Sequence, residues 1–232
     1  MQKQKEEVLA YPVRDSSVFE TDTVSAEIRY TPSRLYLISK RLIDIVISLV
    51  GLIVLMPVFL IIAVCIKLDD GGDILYRREM IGQRGRPFWM LKFRTMIPDA
   101  DAYLEAHSEL MQEYQLNMKL KQDPRITRVG SFLRETYLDE LPQLFNILLG
   151  HMSLVGPRAI HQRELVLYGK YAKKRHSVKP GLTGLWQISP NRHDYYYERI
   201  PLDMHYIDRR SFIFDLVILL KTLPALIDRT GL

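Results

Sequence analysis

The sequence has almost none of the residues that disulfide-bonded or cysteine-ligated proteins need. Its single cysteine, Cys65, lies in an apolar run. A disulfide framework and a cysteine-based zinc site are therefore excluded within one chain, which fits a reducing compartment. The N-terminal stretch MQKQKEEVLAYPVRDSSVFETD is polar and mixed in charge, with no apolar core beside the first methionine. We therefore expect no signal peptide there.

Motifs of several well-known enzyme classes are also missing. The chain has no G-x-x-x-x-G-K-[ST] loop, no G-x-G-x-x-G and no H-E-x-x-H. Their absence disfavours a P-loop kinase, a Rossmann dehydrogenase and a zincin metalloprotease. No basic helix with interleaved aromatic residues is evident, which disfavours a nucleic-acid binder.

The composition that is present is that of a globular protein with a mild basic excess. Hydrophobic residues make up 47% of the chain and charged residues 25%, which is normal for a folded domain. The net charge of +5 suits partners that carry phosphate, namely nucleotides, anionic lipids or nucleic acid, without choosing among them. Residues 1–32 show little hydrophobic periodicity and are predicted to form a polar N-terminal arm.

The longest apolar segment runs from residue 45 to residue 66 without a charge. As a helix it would be roughly 33 Å long, enough to cross a hydrocarbon core of about 30 Å. Pro57 lies near its middle and removes a backbone donor, so a kink is expected there. Two topologies remain open. The run either spans the membrane as a kinked helix, or breaks at Pro57 and leaves by the face through which it entered.

Basic residues flank both ends of this run. They are Lys40 and Arg41 before it, and Lys67, Arg77, Arg78, Arg84, Arg86, Lys92 and Arg94 after it. Because Lys and Arg concentrate on the cytoplasmic side of membranes, both ends are predicted to lie there. This favours re-entry, and residues 33–69 are assigned to a membrane anchor.

The remainder, residues 70–232, is predicted to be a small, mostly helical domain with a short β-hairpin, so that the fold class is α+β. Residues 74–76 and 88–93 read as the strands, joined by a loop with Gly82 and Gly85. The predicted helices cover residues 99–120, 131–135, 142–149, 160–176 and 211–227. The last helix is rich in apolar residues and is expected to lie in a membrane interface.

Two acidic pairs could carry chemistry. Asp99 and Asp101 form a D-x-D pattern, which holds a metal in many glycosyltransferases. Here the pair opens a predicted helix, where acidic residues are favoured by the helix dipole. Two acids in the first turn of a helix need no further cause, so a metal site is disfavoured.

The second pair, Asp139 and Glu140, precedes Pro142, which suits the first position of a helix. Capping would explain the pair alone, but arginines surround it in the sequence at Arg125, Arg128, Arg134 and Arg158. A helix start with converging arginines is a phosphate site. A carboxylate there can hold a divalent metal or attack phosphorus. Since adjacent helical residues diverge by about 100°, the natural division is one nucleophile and one metal ligand or base.

Further basic residues lie beside Pro/Gly turns, where loops carry function. Arg158 follows Gly156-Pro157, Arg175 precedes Pro180-Gly181, and Arg192 lies in SPNRHD. Each could equally be an exposed surface cation. The histidines show no metal-ligand spacing.

Together these stretches resemble the bacterial sugar transferases, the monotopic phosphoglycosyl transferase superfamily. The matching stretches are KRLIDIVISLVGLIVLMP, KFRTM at 92–96, DPRITRVGSFLRETYLDELPQLFNILLGHMSLVGPR at 123–158, PGLTGLWQ at 180–187 and LDMHYIDRRSFIFDLVILLKT at 202–222. The resemblance covers nearly everything from about residue 40 onward.

The resemblance implies a reaction in which a UDP-sugar and undecaprenyl phosphate give a lipid-diphosphate sugar and UMP, with Mg²⁺. It places the covalent phosphosugar on Asp139, with Glu140 as its partner and both as metal ligands. The implied phosphate-binding residues are Arg134, Arg158, Arg175 and Arg192, to which Lys92 and Arg94 of the KFRTM stretch are added.

The resemblance also implies a re-entrant anchor broken at Pro57, although the break reads Met56-Pro57 where the family commonly has Ser-Pro. The catalytic domain would then lie on the cytoplasmic face of the bacterial inner membrane. The segment around residues 100–127 resembles the hexose-1-phosphate branch, so UDP-galactose or UDP-glucose is the expected donor. The step would be the first in making an extracellular polysaccharide, O-antigen or glycoconjugate. A catalytically inactive adaptor of the same fold is the alternative, and a homodimer is left open.

Overall fold

The computed structural model describes residues 31–117, 120, 122–189 and 199–227. The described residues are mostly helical, with two small two-stranded sheets. The chain divides into two compact units. The described part of the smaller unit lies within Asp99–Arg125, and the larger unit takes in Ser25–Pro98 and Ile126–Leu232. The predicted N-terminal arm lies almost entirely outside the described residues, and the boundaries at residues 33 and 70 stay predictions.

The larger unit begins with two helices joined by a sharp bend. Helix α1 covers Arg34–Val54 and helix α2 covers Met56–Asp70, with Leu55 between them. The two axes meet at 60°. Pro57 lies in the first turn of α2, where the donor it lacks would be unpaired in any case. The predicted break is therefore present, with its hinge at Leu55 beside Met56-Pro57.

Helix length and composition limit which parts of the chain could cross a membrane. Among the described residues, no single helix is long and apolar enough to cross a bilayer. Helices α1 and α2 together have the length and composition of a broken span or a re-entrant loop.

A β-hairpin follows α2, as predicted. Strand β1 (Leu75–Ile81) pairs antiparallel with β2 (Pro87–Phe93). The first strand is five residues longer at its end than the sequence suggested, because Arg77, Arg78 and Glu79 lie on it exposed to solvent. Charged residues on an exposed stretch hide the strand pattern from a reading based on hydrophobicity.

Helix α5 begins earlier than predicted. It covers Arg128–Glu135, because the Thr127 hydroxyl caps it by accepting a hydrogen bond from the backbone N–H of Gly130 at 2.9 Å. A side chain at Gly130 would collide with the backbone of Thr95, just beyond β2. Glycine here lets α5 pack directly against the chain that leaves the hairpin.

The helix predicted at 142–149 is present as α6, and a separate 3-10 turn precedes it. Residues Leu138–Glu140 form a 3-10 turn, and helix α6 covers Gln143–Leu148. Pro142 is the N-cap of α6 and not its first residue. The acidic pair thus lies in the turn before the helix, a correction to its predicted place at the helix start.

The rest of the larger unit contains the second sheet and the C-terminal helices. Strand β3 (Ser153–Val155) pairs parallel with β4 (Gly181–Thr183). The predicted helix at 160–176 is mainly a 3-10 segment, Gln162–Tyr171, followed by the short helix α7, Ala172–Arg175. Helices α8 (Arg199–Arg209) and α9 (Phe212–Ile227) complete the unit. The prediction of an apolar C-terminal helix is confirmed.

An apolar cluster joins α2 to the hairpin and to the acidic turn. Its buried members are Ile62, Ile66, Phe93 and Leu133, and the side chains packed against them include Leu138 and Leu141. Full burial of one such side chain contributes about 1.5–3 kcal/mol. Two leucines that flank the acidic pair are therefore fixed against the second half of the predicted anchor.

The smaller unit contains helices α3 (Ala100–Ala106) and α4 (Ser108–Asn117). The single helix predicted over 99–120 is interrupted at His107, which has an extended backbone. Asp99 is the N-cap of α3 and Asp101 lies in its first turn. Within the described residues, no group of three or more acidic, His or Cys side chains could hold a metal. Both acids thus lie at the start of α3, as predicted, although the side chain of Asp99 makes no capping hydrogen bond.

Candidate active site

The acidic pair lies in a buried turn with its two carboxylates beside one lysine. Asp139 is 7% exposed. The Nζ atom of Lys92 lies 3.3 Å from Oδ2 of Asp139 and 2.7 Å from Oε1 of Glu140. Lys92 is on β2, next to the buried Phe93. The structure thus brings Lys92 to the predicted catalytic pair, where its single positive charge lies between the two carboxylates.

A buried asparagine sets the distance between α6 and β2. The side chain of Asn146 accepts a hydrogen bond from the Leu91 amide at 2.9 Å and donates to the Trp89 carbonyl at 2.7 Å. It thereby satisfies backbone groups along one edge of β2. The acidic turn lies just before α6, so this pairing holds the turn beside Lys92. Sequence reasoning missed Asn146, since a lone Asn in a short helix carries no pattern.

The two carboxylates differ in their affinity for protons. Burial raises the pKa of Asp139, and the neighbouring Glu140 carboxylate adds to the rise, against the opposing charges of Lys92 and Arg134. Burial also acts to raise the pKa of Glu140, but Lys92, Arg158 and a hydrogen bond with Gln143 together hold that pKa below its usual range. The pKa values of the two carboxylates are therefore shifted in opposite directions.

Two of the predicted phosphate-binding arginines lie near the pair. Arg134 lies close enough to lower the pKa of Asp139, and its Nε donates to the Thr95 hydroxyl at 2.9 Å. An Nη of Arg158 lies 4.0 Å from Oε1 of Glu140. The side chain of Arg158 is 43% exposed, so its guanidinium remains open to an incoming anion.

Arg175 is placed differently from the other predicted ligands. It is 1% exposed, and its Nη2 donates to the backbone carbonyl of Arg158 at 2.6 Å. Its Nε is buried without a hydrogen-bond partner in the described part of the chain. In this structure Arg175 supports the turn that carries Arg158, and its contact with phosphate stays a prediction. Arg192 lies outside the described residues.

Arg94 has partners of its own at the end of α2. Its guanidinium pairs with the Asp70 carboxylate and donates to the backbone carbonyl of Asp73. The structure does not bring Arg94 to the acidic pair, although Arg94 lies only two residues after Lys92, just beyond the end of β2. A phosphate contact of Arg94 also stays a prediction, and it would have to compete with Asp70.

The donor set can be compared with the needs of Mg²⁺. Asp139 and Glu140 supply two carboxylates, and no third acidic, His or Cys ligand joins them among the described residues. Mg²⁺ commonly takes one or two carboxylates and completes its shell with substrate phosphates and water. The two carboxylates would supply two ligands to a magnesium ion whose remaining ligands come from a diphosphate and water.

Further residues of the site were missed by sequence reasoning. Arg199 donates to the same Arg158 carbonyl at 2.9 Å and is 2% exposed. Gln143 is buried against Glu140. A lone Arg or Gln has no spacing that predicts a role, so only the fold reveals these two.

The chain is similar to known proteins over most of its length. Residues 35–229 match the family described as bacterial sugar transferase. The chain is 45% identical over 192 residues to the exopolysaccharide production protein ExoY of Sinorhizobium fredii, covering 81% of this chain and 85% of that protein.

Two other relatives have names that state a reaction. The undecaprenyl-phosphate galactose phosphotransferase of Salmonella typhimurium is 41% identical over 197 residues, covering 83% of this chain and 41% of that protein. The UDP-glucose:undecaprenyl-phosphate glucose-1-phosphate transferase of Xanthomonas campestris is 38% identical over 195 residues, covering 81% of this chain and 38% of that protein. The chain thus spans about two-fifths of each of these longer relatives.

The predicted resemblance is confirmed by a match that includes both helices of the bent pair, the hairpin, the acidic turn and the C-terminal helix. With a family match over residues 35–229 and identities of 38–45%, the chain belongs to the bacterial sugar transferases.

Proposed function

We propose that this chain transfers a sugar 1-phosphate from a UDP-sugar to undecaprenyl phosphate and releases UMP. The observation that carries the proposal is the Asp139–Glu140 pair, which shares the Lys92 ammonium and is faced by the exposed guanidinium of Arg158. The names of the Salmonella and Xanthomonas relatives support the same reaction class.

The first half of the reaction uses Asp139 as the nucleophile. A carboxylate oxygen of Asp139 attacks the phosphorus that bears the sugar, a new O–P bond forms, and the bond to UMP breaks. Asp139 is proposed for this role because the family resemblance places the covalent phosphosugar on it, and burial raises the pKa of its carboxyl, which favours nucleophilic attack by the carboxylate. In the second half, the lipid phosphate attacks the same phosphorus and Asp139 leaves.

The cations of the site stabilise charge on the diphosphate. Arg134 and Arg158 lie where they can bind phosphate oxygens, and Arg175 and Arg192 are proposed to assist them. The charge of Lys92 opposes the rise in the pKa of Asp139 and helps to lower the pKa of Glu140. Asp139 and Glu140 would hold Mg²⁺, which neutralises the diphosphate when bound.

The bent helix pair is proposed to enter the cytoplasmic leaflet of the bacterial inner membrane and leave by the same face. Many of its apolar side chains are exposed, as are several on α9. Examples are Leu42, Val46, Leu60, Ile61, Val64, Leu216 and Leu220. Apolar surface of this extent needs cover, and lipid provides it. The acidic turn packs on α2, so the chemistry would lie near the interface that the lipid phosphate occupies.

The topology has its own test. In a background without Cys65, single cysteines near residue 10 and near residue 120 should react with an impermeant reagent from the same side of sealed vesicles. Labelling from opposite sides would contradict re-entry. Replacing Pro57 with Leu should straighten the bend toward a full span.

The proposed donor is UDP-galactose or UDP-glucose, and the proposed product starts an extracellular polysaccharide, O-antigen or glycoconjugate. The alternative, an inactive adaptor, is disfavoured because Lys92, Arg134 and Arg158 lie beside the acidic pair. UMP release should be measured across a panel of UDP-sugars with undecaprenyl phosphate. Release from a hexose donor supports the proposal. Absence of release from every donor, with UDP-sugar binding retained, would favour the adaptor. A homodimer stays a prediction.

A further inference from the structure

The backbone carbonyl of Arg158 accepts hydrogen bonds from two buried arginines. Nη2 of Arg175 lies 2.6 Å from it and Nη2 of Arg199 lies 2.9 Å from it. Arg158 itself directs its guanidinium toward Glu140, with 4.0 Å between the charged groups. The Arg158 peptide group is therefore held by hydrogen bonds from two buried arginines, while the Arg158 guanidinium is exposed.

Arg199 is held in place by a chain of polar contacts. Its Nε lies 3.5 Å from the carboxylate of Asp203, and its Nη1 lies 3.9 Å from that of Glu164. The guanidinium also stacks over the ring of Trp186 at 5.4 Å. The hydroxyl of Tyr168 donates to Asp203 at 2.7 Å. The guanidinium is thus fixed from several sides, and a fixed donor constrains the carbonyl that it binds.

Burial of a charged guanidinium is costly, and hydrophobic residues of similar volume often stabilise a fold as well as a buried ion pair does. Stability alone gives weak grounds for an arginine at this position. The specific consequence of Arg199 is the direction of the Arg158 peptide. We propose that Arg199 is a positioning residue, which acts through the Arg158 backbone to aim the Arg158 guanidinium at the donor diphosphate.

This inference rests on the proposed function, because Arg158 is the group that meets the phosphate. It adds a residue on α8, a helix that the sequence linked to no chemistry. Arg175 is a poorer test, because it is also predicted to contact phosphate. A variant of Arg175 would lose both that contact and the hydrogen bond to the Arg158 carbonyl. Arg199 can be tested separately, since its described contacts are with the interior.

A double-mutant cycle tests the proposal. Arg199→Gln should lower kcat/KM for UMP release about 10- to 100-fold, since small misplacements of a binding group cost this much. In an Arg158→Ala background the same change should lower it less than about threefold, because the group that Arg199 positions is gone. Arg199→Lys keeps the charge without the planar fork, and should recover part of the loss.

A matched control lies on the same helix. Lys174 is fully buried and pairs with Asp208 of α8 at 2.6 Å. Asp208→Asn should lower the melting temperature but leave kcat/KM of the folded protein unchanged. If Arg199→Gln does not fold, Tyr168→Phe is the substitute, because it removes the hydrogen bond that orients Asp203. It should lower kcat/KM by a smaller factor, and that loss should also shrink in the Arg158→Ala background.

Hydrogen exchange separates this inference from the proposed function. In Arg199→Gln, the backbone amides of residues 158–160 should exchange faster than in the parent, and those in Asp208→Asn should not. This readout needs no turnover, so it tests positioning even if no UDP-sugar releases UMP. The proposal is overturned if the losses from Arg199→Gln and Arg158→Ala multiply in the double variant, or if the amides are unaffected by Arg199→Gln.

Discussion

The two sides of the active site are held in different ways. On the acidic side, Leu138 and Leu141 pack into the apolar cluster on α2, while the hydrogen bonds of Asn146 fix α6, the helix after the turn, to β2. On the basic side, the turn between Val155 and Arg158 is held by directional bonds. Lys40 of α1 donates to the Val155 carbonyl at 2.9 Å, and the Tyr206 hydroxyl lies 3.1 Å from the same oxygen. The Arg158 carbonyl accepts from Arg175 and Arg199, as described above.

The two kinds of contact control different properties, namely position and stability on one side and orientation on the other. Apolar contacts depend on buried area and are insensitive to direction, so they fix where the turn lies and how stable it is. Hydrogen bonds depend on angle, so they fix where a group points. A guanidinium that binds a diphosphate needs direction. We therefore expect changes on the apolar side to cost mainly stability, and changes on the basic side to cost mainly catalysis.

The largest effect is expected at Asp139 of the acidic turn, because it is the proposed nucleophile. With UDP-sugar, radiolabelled UMP and no lipid acceptor, label should enter the UDP-sugar because the first half-reaction is reversible. Asp139→Asn should lower this exchange by at least about 10³-fold, since an amide is a poor nucleophile of similar shape. Unchanged exchange in Asp139→Asn would move the nucleophile elsewhere, with Glu140 the first candidate. An enzyme that turns over without exchange would point to direct attack by the lipid phosphate.

The next effect concerns stability on the apolar side. Leu133 is 1% exposed at the centre of the cluster. Leu133→Ala should lower the free energy of unfolding by about 2–5 kcal/mol, measured by denaturant titration. At a temperature where the variant is folded, kcat/KM should stay within a few-fold of the parent. A large loss of activity in fully folded Leu133→Ala would show that the cluster also orients the acids, and the comparison would fail. Leu149→Ala, at an exposed position, is the size-matched control.

The sequence predicted the features that leave a local pattern. The uncharged run, Pro57 and the turn glycines indicated the bent pair and the hairpin, and the acids of LDELPQ stood out among arginines. The partners of Arg158 had no such signal, because its carbonyl is bound by residues 17 and 41 positions away in the chain. Lys92 and Arg94 were also indistinguishable in sequence. Only the fold shows that one faces the acidic pair and the other faces Asp70.

A smaller effect is expected from one hydroxyl on the basic side. The Tyr206 hydroxyl lies 2.8 Å from the Asp215 carboxylate as well as 3.1 Å from the Val155 carbonyl. Tyr206→Phe keeps the ring and should cost about 1–3 kcal/mol of stability, because a buried carboxylate loses a donor. Activity should fall about threefold or more, measured as kcat/KM at a temperature where the variant is folded. Loss of stability without any change in kcat/KM would show that the Val155 end of the turn does not aim Arg158.

The smallest effect is a shift in pH dependence, expected when Lys92, which pairs with both carboxylates, is replaced. Asp139 must lose its proton to attack phosphorus, so exchange should fall as pH drops through its raised pKa. The charge of Lys92 opposes that rise. In Lys92→Gln the pKa of Asp139 should therefore be higher still, and the acid limb of the exchange rate should move to higher pH. Arg77→Gln removes one positive charge from the exposed strand β1 and should leave the limb in place. A limb that stays or moves to lower pH in Lys92→Gln would mean that another group sets it. The lysine would then serve the diphosphate and not the nucleophile.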